Sequence, residues 1–235
     1  MRPVAIFDID GTIFRSSLLI ELFNELVRQG TFKEKLTNSI RRLEEKWLNR
    51  QGHYDDYLQE MVDVYLRAII GKKRSGVVQA SRRIVQKQKF RTYRYTRELL
   101  NKLRNKYFTI AISGSPLEVV MEYNRFLKFD KLYGSEFGVD EKGRYTKNIL
   151  HVPSRYKKEV IARYVSSHSL NLRNSIGIGD TESDIGFLEL VSKPIAFNPN
   201  AKLAEAARKK NWTVVIERKD LIVQFKPKSV RYLKV

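Results

Sequence analysis

The spacing of apolar residues changes character twice along this chain. Residues 3–9 form a short, nearly unbroken apolar run, as expected for a strand buried on both faces. The run ends in DIDGT, whose glycine marks a loop. From Ser16 the period becomes helical: Leu18, Leu19, Leu22, Phe23, Leu26 and Val27 share one face, and the stretch stops near Gly30. The same reasoning predicts helices over 32–49, 54–70, 75–88 and 92–106. No clear strand pattern interrupts residues 16 to 90.

Beyond that stretch, strands and helices alternate. Strands are expected over 108–113, 131–137, 175–179, 194–197 and 213–216, and helices over 116–126, 155–168, 184–191 and 201–210. The polar segment VDEKGRYT between two of these elements reads as a turn or small hairpin. Strand–helix alternation predicts an α/β fold with a mostly parallel sheet covered on both faces. Residues 1–15 and 91–235 would form that core, and 16–90 a helical insert above the carboxyl ends of the strands, where open α/β sheets hold their sites.

Composition narrows the possibilities. The chain has 235 residues, 42% of them hydrophobic, and no cysteine, which excludes disulfides, thiolate chemistry and cysteine-bound zinc. No apolar run approaches the roughly 18 residues of a membrane span. The N-terminal stretch lacks the pattern of a signal peptide, so the expected location is cytoplasmic. Lys and Arg total 45 against 26 Asp and Glu, a net charge of +19. The excess is uneven: residues 67–106 hold 14 basic residues and a single acidic one, Glu98. Such a stretch suits a solvated basic surface, a field that steers phosphate esters, or a surface for a polyanion.

Four segments carry candidate chemistry. In FDIDGT, Asp8 and Asp10 are two apart, so a strand would direct both to one side. Paired carboxylates need a cation or a shared proton, and an all-oxygen ligand set suits Mg²⁺. The same residues also suit a surface turn. In AISGSP, Ser113, Gly114 and the following N–H groups could hold phosphate oxygens; Ser115 could instead cap the next helix, with Pro116 at its first position. In YKKE, a lysine at a helix start could neutralise a carboxylate and a phosphoryl group, but one lysine among so many basic residues is a weak signal. In GIGDTESD, Asp180 is placed to enter a metal shell and Asp184, one turn later, to orient metal-bound water or pair with the lysine; Asp180 could also be an N-cap. His53, His151 and His168 lie at no ligand spacing, and the chain lacks a nucleophile elbow, a P-loop and a dinucleotide fingerprint.

In their order along the chain, these segments resemble the haloacid dehalogenase superfamily. The match comprises Asp8, Asp10 and Thr12 in DIDGT, Ser113 with Gly114, Lys157, and GDTESD from Gly179 to Asp184. IAFNPN and KNWTVV resemble the tail of the phosphoserine-phosphatase-like branch, and the helical insert resembles that branch's cap. The resemblance implies a Rossmann-like core. It also implies a Mg²⁺-dependent phosphatase in which Asp8 attacks phosphorus to form a phosphoaspartyl intermediate and Asp10 serves as acid and base. Asp8, the Asp10 carbonyl and Asp180 would bind the metal. Ser113, Gly114 and Lys157 would bind phosphate, with Lys157 favoured over Lys158 by the pattern lysine, one residue, Glu159. Asp184 would support the metal shell.

The chain departs from the branch at one position. Phosphoserine phosphatases place a glutamate shortly after the first motif to bind the substrate ammonium, and Ser17 stands there in this sequence. Glu21 lies one turn farther on, and Arg15, Ser17 and Glu21 are the candidate contacts to the rest of the substrate. The expected substrate is therefore a small phosphate monoester, not necessarily phosphoserine. The alternatives are a phosphatase or binding protein for a polyanion, such as a nucleic-acid end or a phosphoprotein, and a phosphotransferase or mutase using the same steps. Oligomeric state is not legible in the sequence.

Overall fold

A computed structural model of the chain describes residues 2–227. The order of elements begins with β1 (Pro3–Asp8), followed by α1 (Leu18–Arg28), α2 (Thr37–Leu48), α3 (Tyr54–Ile69), α4 (Arg74–Gln88) and α5 (Arg94–Leu103). Next come β2 (Phe108–Pro116), α6 (Leu117–Leu127), β3 (Lys131–Val139), β4 (Tyr145–His151) and α7 (Lys157–Ser167). The order closes with β5 (Asn171–Gly179), α8 (Ile185–Leu188), β6 (Lys193–Phe197), α9 (Ala201–Lys210), β7 (Thr213–Arg218) and β8 (Leu221–Phe225).

The strands form one sheet in the order β4-β3-β2-β1-β5-β6-β7-β8. All neighbours from β3 across to β7 pair in parallel, and only the edges β4 and β8 are antiparallel. The fold is therefore α/β with a mostly parallel, Rossmann-like sheet. β1 occupies the centre because its side chains are apolar on both faces. Val4 and Ile6 pack on one side with Ile110, Ile112, Ile161 and Phe187. Ala5 and Phe7 pack on the other with Val119, Val120 and Tyr123. Burying a side chain such as Phe7 contributes about 1.5–3 kcal/mol, and its ring meets Phe129 edge-on at 5.5 Å.

The five helices between β1 and β2 share one apolar cluster with the adjoining sheet face, including Leu22 and Phe23 of α1, Met61 and Tyr65 of α3 and Val77 of α4. Charge reinforces this packing. Arg74 and Arg82 of α4 reach Glu118 and Glu122 of α6 at 2.8 and 3.2 Å, and both carboxylates are buried. Arg83 approaches Glu25 of α1 at 4.0 Å. Part of the basic stretch thus neutralises buried acids at a helix seam while its arginines stay about half exposed.

Several boundaries differ from the sequence expectation. The strand expected over 108–113 continues to Pro116, so α6 begins one residue later than foreseen. The polar segment is a hairpin turn between β3 and β4, where Asp140 Oδ1 accepts from the N–H groups of Lys142 and Arg144. The strand β8 was not expected. Four of its five residues are exposed, so it carries no strong core pattern; pairing with β7 defines it. Among the described residues, no helix is long and apolar enough to cross a membrane.

Candidate active site

The carboxyl ends of three adjacent central strands meet at one place. Asp8 ends β1 and is in register with Ile112 of β2, immediately before Ser113. On the other side Phe7 is in register with Ile178 of β5, and Asp180 follows the end of that strand. The chain passes from β1 to β2 on one side and returns from β4 through α7 to β5 on the other, so this is the switch point of the sheet, where open α/β folds leave a crevice for ligands.

Lys157, the first residue of α7, enters beneath this point and is 4% exposed. Its Nζ donates to Asp8 Oδ1 at 2.7 Å and to Asp184 Oδ1 at 2.5 Å. Burial alone would push this lysine down, but Asp184 and Asp8 outweigh it and hold the ammonium charged well above the usual lysine range. Asp184 is fully buried and spends its other oxygen, Oδ2, on the N–H groups of Asp180 and Thr181 at 2.9 and 3.0 Å. Both of its oxygens are thereby engaged, and the loop carrying Asp180 is fixed.

Asp8, Asp180 and Asp184 each offer a carboxylate oxygen, and the three atoms lie within 4.8 Å of one another. Burial pushes Asp8 up to about 7, with Lys157 opposing and Asp184 and Asp10 adding to the rise. Asp180 is pushed well up by burial, then by Asp8 and Asp184. Among the described residues, the buried Asp8 Oδ2 has no hydrogen-bond partner. An all-oxygen donor set with an orphaned carboxylate oxygen fits a hard divalent cation, which would relieve both the repulsion and the unmet bond. Asp180 Oδ1 accepts from Thr12 Oγ1 at 3.0 Å. Gly11 adopts a φ of +82°, and a Cβ there would come within 2.1 Å of Asp180 Oδ2. The first motif therefore needs glycine both for its turn and for close approach to the acidic loop.

Asp10 has its own set of donors from β2 and α1. Ser113 Oγ donates to its Oδ2 at 2.5 Å, Ser115 Oγ lies 3.0 Å from both carboxylate oxygens, and the Leu18 N–H donates to Oδ1 at 2.6 Å. Burial raises this carboxyl above its ordinary value, and those donors, led by Ser113, hold the rise in check. Ser113 Oγ also accepts from the Ser115 N–H at 3.0 Å. Gly114 passes Ser154 closely enough that a Cβ would meet it at 3.2 Å.

Ser115 does not cap α6, which has no side-chain cap; its hydroxyl takes the Leu19 N–H and turns to Asp10. A serine before proline at a helix start reads locally as a cap, and its real partners lie far away in sequence.

The three residues considered for the rest of the substrate have separate surroundings. Arg15 is exposed, with its guanidinium 5.5 Å from the ring centre of Tyr93. Ser17 is buried at the start of α1. Glu21 is engaged by Ser16 Oγ at 2.9 Å, Gln88 Nε2 at 2.6 Å and Arg91 Nη1 at 2.8 Å, tying α1 to the connection between α4 and α5.

The chain resembles known proteins in sequence and in fold. The family model described as haloacid dehalogenase-like hydrolase matches residues 5–189. A histidinol-phosphatase of Neisseria meningitidis serogroup C (strain 8013) is 25% identical over 112 residues, 46% of this chain and 50% of that protein. The match therefore spans half the length of that relative. A Bordetella pertussis Tohama I protein of unknown function superposes with a TM-score of 0.73 at 21% identity, covering 92% of this chain and 99% of that one. A phosphoserine phosphatase solved as a phospho-aspartyl intermediate analogue superposes with a TM-score of 0.61 at 17% identity, covering 93% and 95%.

Proposed function

The chain belongs to the haloacid dehalogenase-like hydrolase family, and from that premise we propose that it is a Mg²⁺-dependent phosphatase acting on a small phosphate monoester through a phosphoaspartyl intermediate at Asp8. The observation that carries this reading is the buried Lys157 bridging Asp8 and Asp184 while Asp8 Oδ2 has no partner among the described residues. A carboxylate so held is fixed in position and has a lone pair to offer.

Asp8, the Asp10 carbonyl and Asp180 would hold the cation, which would supply charge neutralisation for the carboxylates and the phosphoryl oxygens. The chain's own residues do the rest. Asp8 attacks phosphorus, the new O–P bond forms, and the bond to the leaving oxygen breaks. Asp10 gives its proton to that oxygen. Water then attacks the phosphoaspartate; Asp10 takes back a proton, and the O–P bond to Asp8 breaks to release phosphate. Lys157, Ser113 and the Gly114 N–H hold the phosphoryl oxygens. An acid in this role needs a raised pKa, and burial gives Asp10 that direction.

Residues 16–90 act in this reading as a cap over a core made of 1–15 and 91–235, of which residues 1 and 228–235 lie outside the described part. Ser17 stands where an ammonium-binding glutamate would be, and Glu21 is occupied by Arg91 and Gln88. The reading therefore favours an ester whose leaving group lacks a required ammonium.

The test is phosphate release from a panel of phosphorylated metabolites with Mg²⁺, using Asp8→Asn as background. Turnover should stop on chelation and resume with Mg²⁺, and labelled phosphate should appear on the wild-type protein in a rapid acid quench. Asp8→Asn cleaving esters at the parent rate would exclude Asp8 as the nucleophile.

A further inference from the structure

A second feature lies at the other end of α6. This helix starts just after Ser113–Pro116 and runs 11 residues, about 16 Å at the helical rise, before ending in Lys128. There it forms a groove of roughly 370 Å³ with α5. The walls carry Arg97 and Asn101 from α5 with Arg104 just after it, and Arg125 and Phe126 from α6 with Lys128 just after it. Few acids answer these cations. Glu122 pairs with both Arg82 and Arg125, Glu98 with Arg94, and Asp130 accepts from Thr109. Arg104 donates through Nη2 to the Leu127 carbonyl at 2.9 Å and to Asn101 at 3.2 Å, yet its buried Nε has no partner among the described residues.

The groove also has an aromatic rim. Phe90, in the connection between α4 and α5, is 69% exposed, far more than a core phenylalanine would be. Its ring meets Phe126 edge-on at 5.3 Å, and Lys89 Nζ lies 5.2 Å from its centre. An exposed aromatic ring beside a cationic groove costs solubility unless something covers it. Bases stack on such rings while phosphates follow the cations, which is how single strands are held without sequence preference.

We propose that the α5–α6 groove and Phe90 form a binding surface for single-stranded nucleic acid, separate from the crevice around Asp8. The phosphates lie along Arg97, Arg104 and Lys128, and a base stacks on Phe90. Charge pairing distinguishes this face within a chain of net charge +19: on the α4 seam the basic residues are answered by buried glutamates, whereas here, among the described residues, most are not.

The experiment measures anisotropy of a short labelled oligothymidylate against the full chain over a range of salt. Wild type should bind, with the logarithm of affinity falling linearly with the logarithm of salt. The double variant Arg97→Glu with Lys128→Glu should weaken binding by about tenfold or more and flatten that slope. Phe90→Ala should weaken it by about fivefold or more with the slope kept. Lys142→Glu, the same charge change in the β3–β4 turn, should leave affinity within about twofold. Thermal melts and ester turnover, expected to be unchanged, show that each variant is folded. Absence of binding at low salt overturns the proposal. So does an unaltered affinity in the double variant. An unaltered affinity in Phe90→Ala, or equal competition by inorganic tripolyphosphate per phosphate, reduces the surface to a general polyanion attractor and likewise overturns it.

Discussion

Ser115 Oγ stands 3.0 Å from each carboxylate oxygen of Asp10 and accepts the Leu19 N–H. One hydroxyl thus joins the end of β2 to the start of α1 and fixes the rotamer of the proposed acid. Removing it leaves Asp10 with Ser113 and the Leu18 N–H, so the carboxyl gains freedom to turn.

Ser115→Ala should therefore lower kcat by roughly tenfold to a hundredfold, a range expected for loss of orientation of a general acid. The loss should be larger for esters with poor leaving groups, which need the proton most. Steady-state kinetics across aryl phosphates of graded leaving-group acidity provide the measurement. An equal loss for every ester would place Ser115 in phosphate binding instead of acid positioning.

Lys157 poses a different question, because it lies between two buried carboxylates. Lys157→Met keeps most of the volume but leaves Asp8 and Asp184 facing each other without a cation. Breaking a buried pair in this way costs about 3–5 kcal/mol. Urea unfolding near neutral pH should show a loss of that size, together with loss of turnover. The sign with pH follows from the charges. Burial raises the Asp8 carboxyl and Lys157 opposes that rise, so without the lysine the variant should regain part of its stability as pH falls and Asp8 protonates. A variant equally stable at acid and neutral pH would mean that the two acids never depended on the lysine.

The order of strands and helices was legible because most elements had a clear period: β1 is apolar up to Asp8, and Leu18 to Val27 repeat at helical spacing. The acids were legible because they sit beside glycines at strand ends. Lys157 was different. Its local context is one lysine among 45 basic residues, and its weight comes from burial at 4% exposure and from partners 149 and 27 residues away. The partners of Ser115 and Glu21 were hidden for the same reason: they lie on other elements. Strand β8 escaped because its exposed edge position removes the apolar alternation that marks an inner strand.

Glycine substitutions separate backbone strain from crowding at the site. Gly11 and Gly30 both have positive φ, +82° and +71°. Among the described residues, a Cβ on Gly30 meets nothing within 4 Å, whereas one on Gly11 comes within 2.1 Å of Asp180 Oδ2. Gly30→Ala should cost about 1–2 kcal/mol of stability from strain alone and leave turnover intact. Gly11→Ala should move Asp180, weaken the response to Mg²⁺ and reduce turnover by at least about tenfold. Titrating Mg²⁺ against activity for both variants makes the comparison. Matching Mg²⁺ dependence in the two would mean that Gly11 serves the turn and not the acidic loop.

Glu25 links α1 to its own last turn. It accepts from Arg28 at 2.8 and 2.5 Å and from Gln29 at 2.5 Å, and Arg83 of α4 approaches at 4.0 Å. The Arg28 hydrogen bonds hold its carboxyl below the ordinary 4.5, against the opposing effect of burial. A carboxylate with a lowered folded pKa adds stability above its unfolded value, and that contribution is lost as pH falls through the folded value. Glu25→Gln should thus be less stable than wild type by roughly 1 kcal/mol near neutral pH. The gap should persist down to about pH 4.5 and close below it as the wild-type carboxylate protonates. Paired thermal melts from neutral to strongly acid buffer follow the gap directly. A gap that stays constant through the acid range would assign the effect to packing of the side chain and not to its charge.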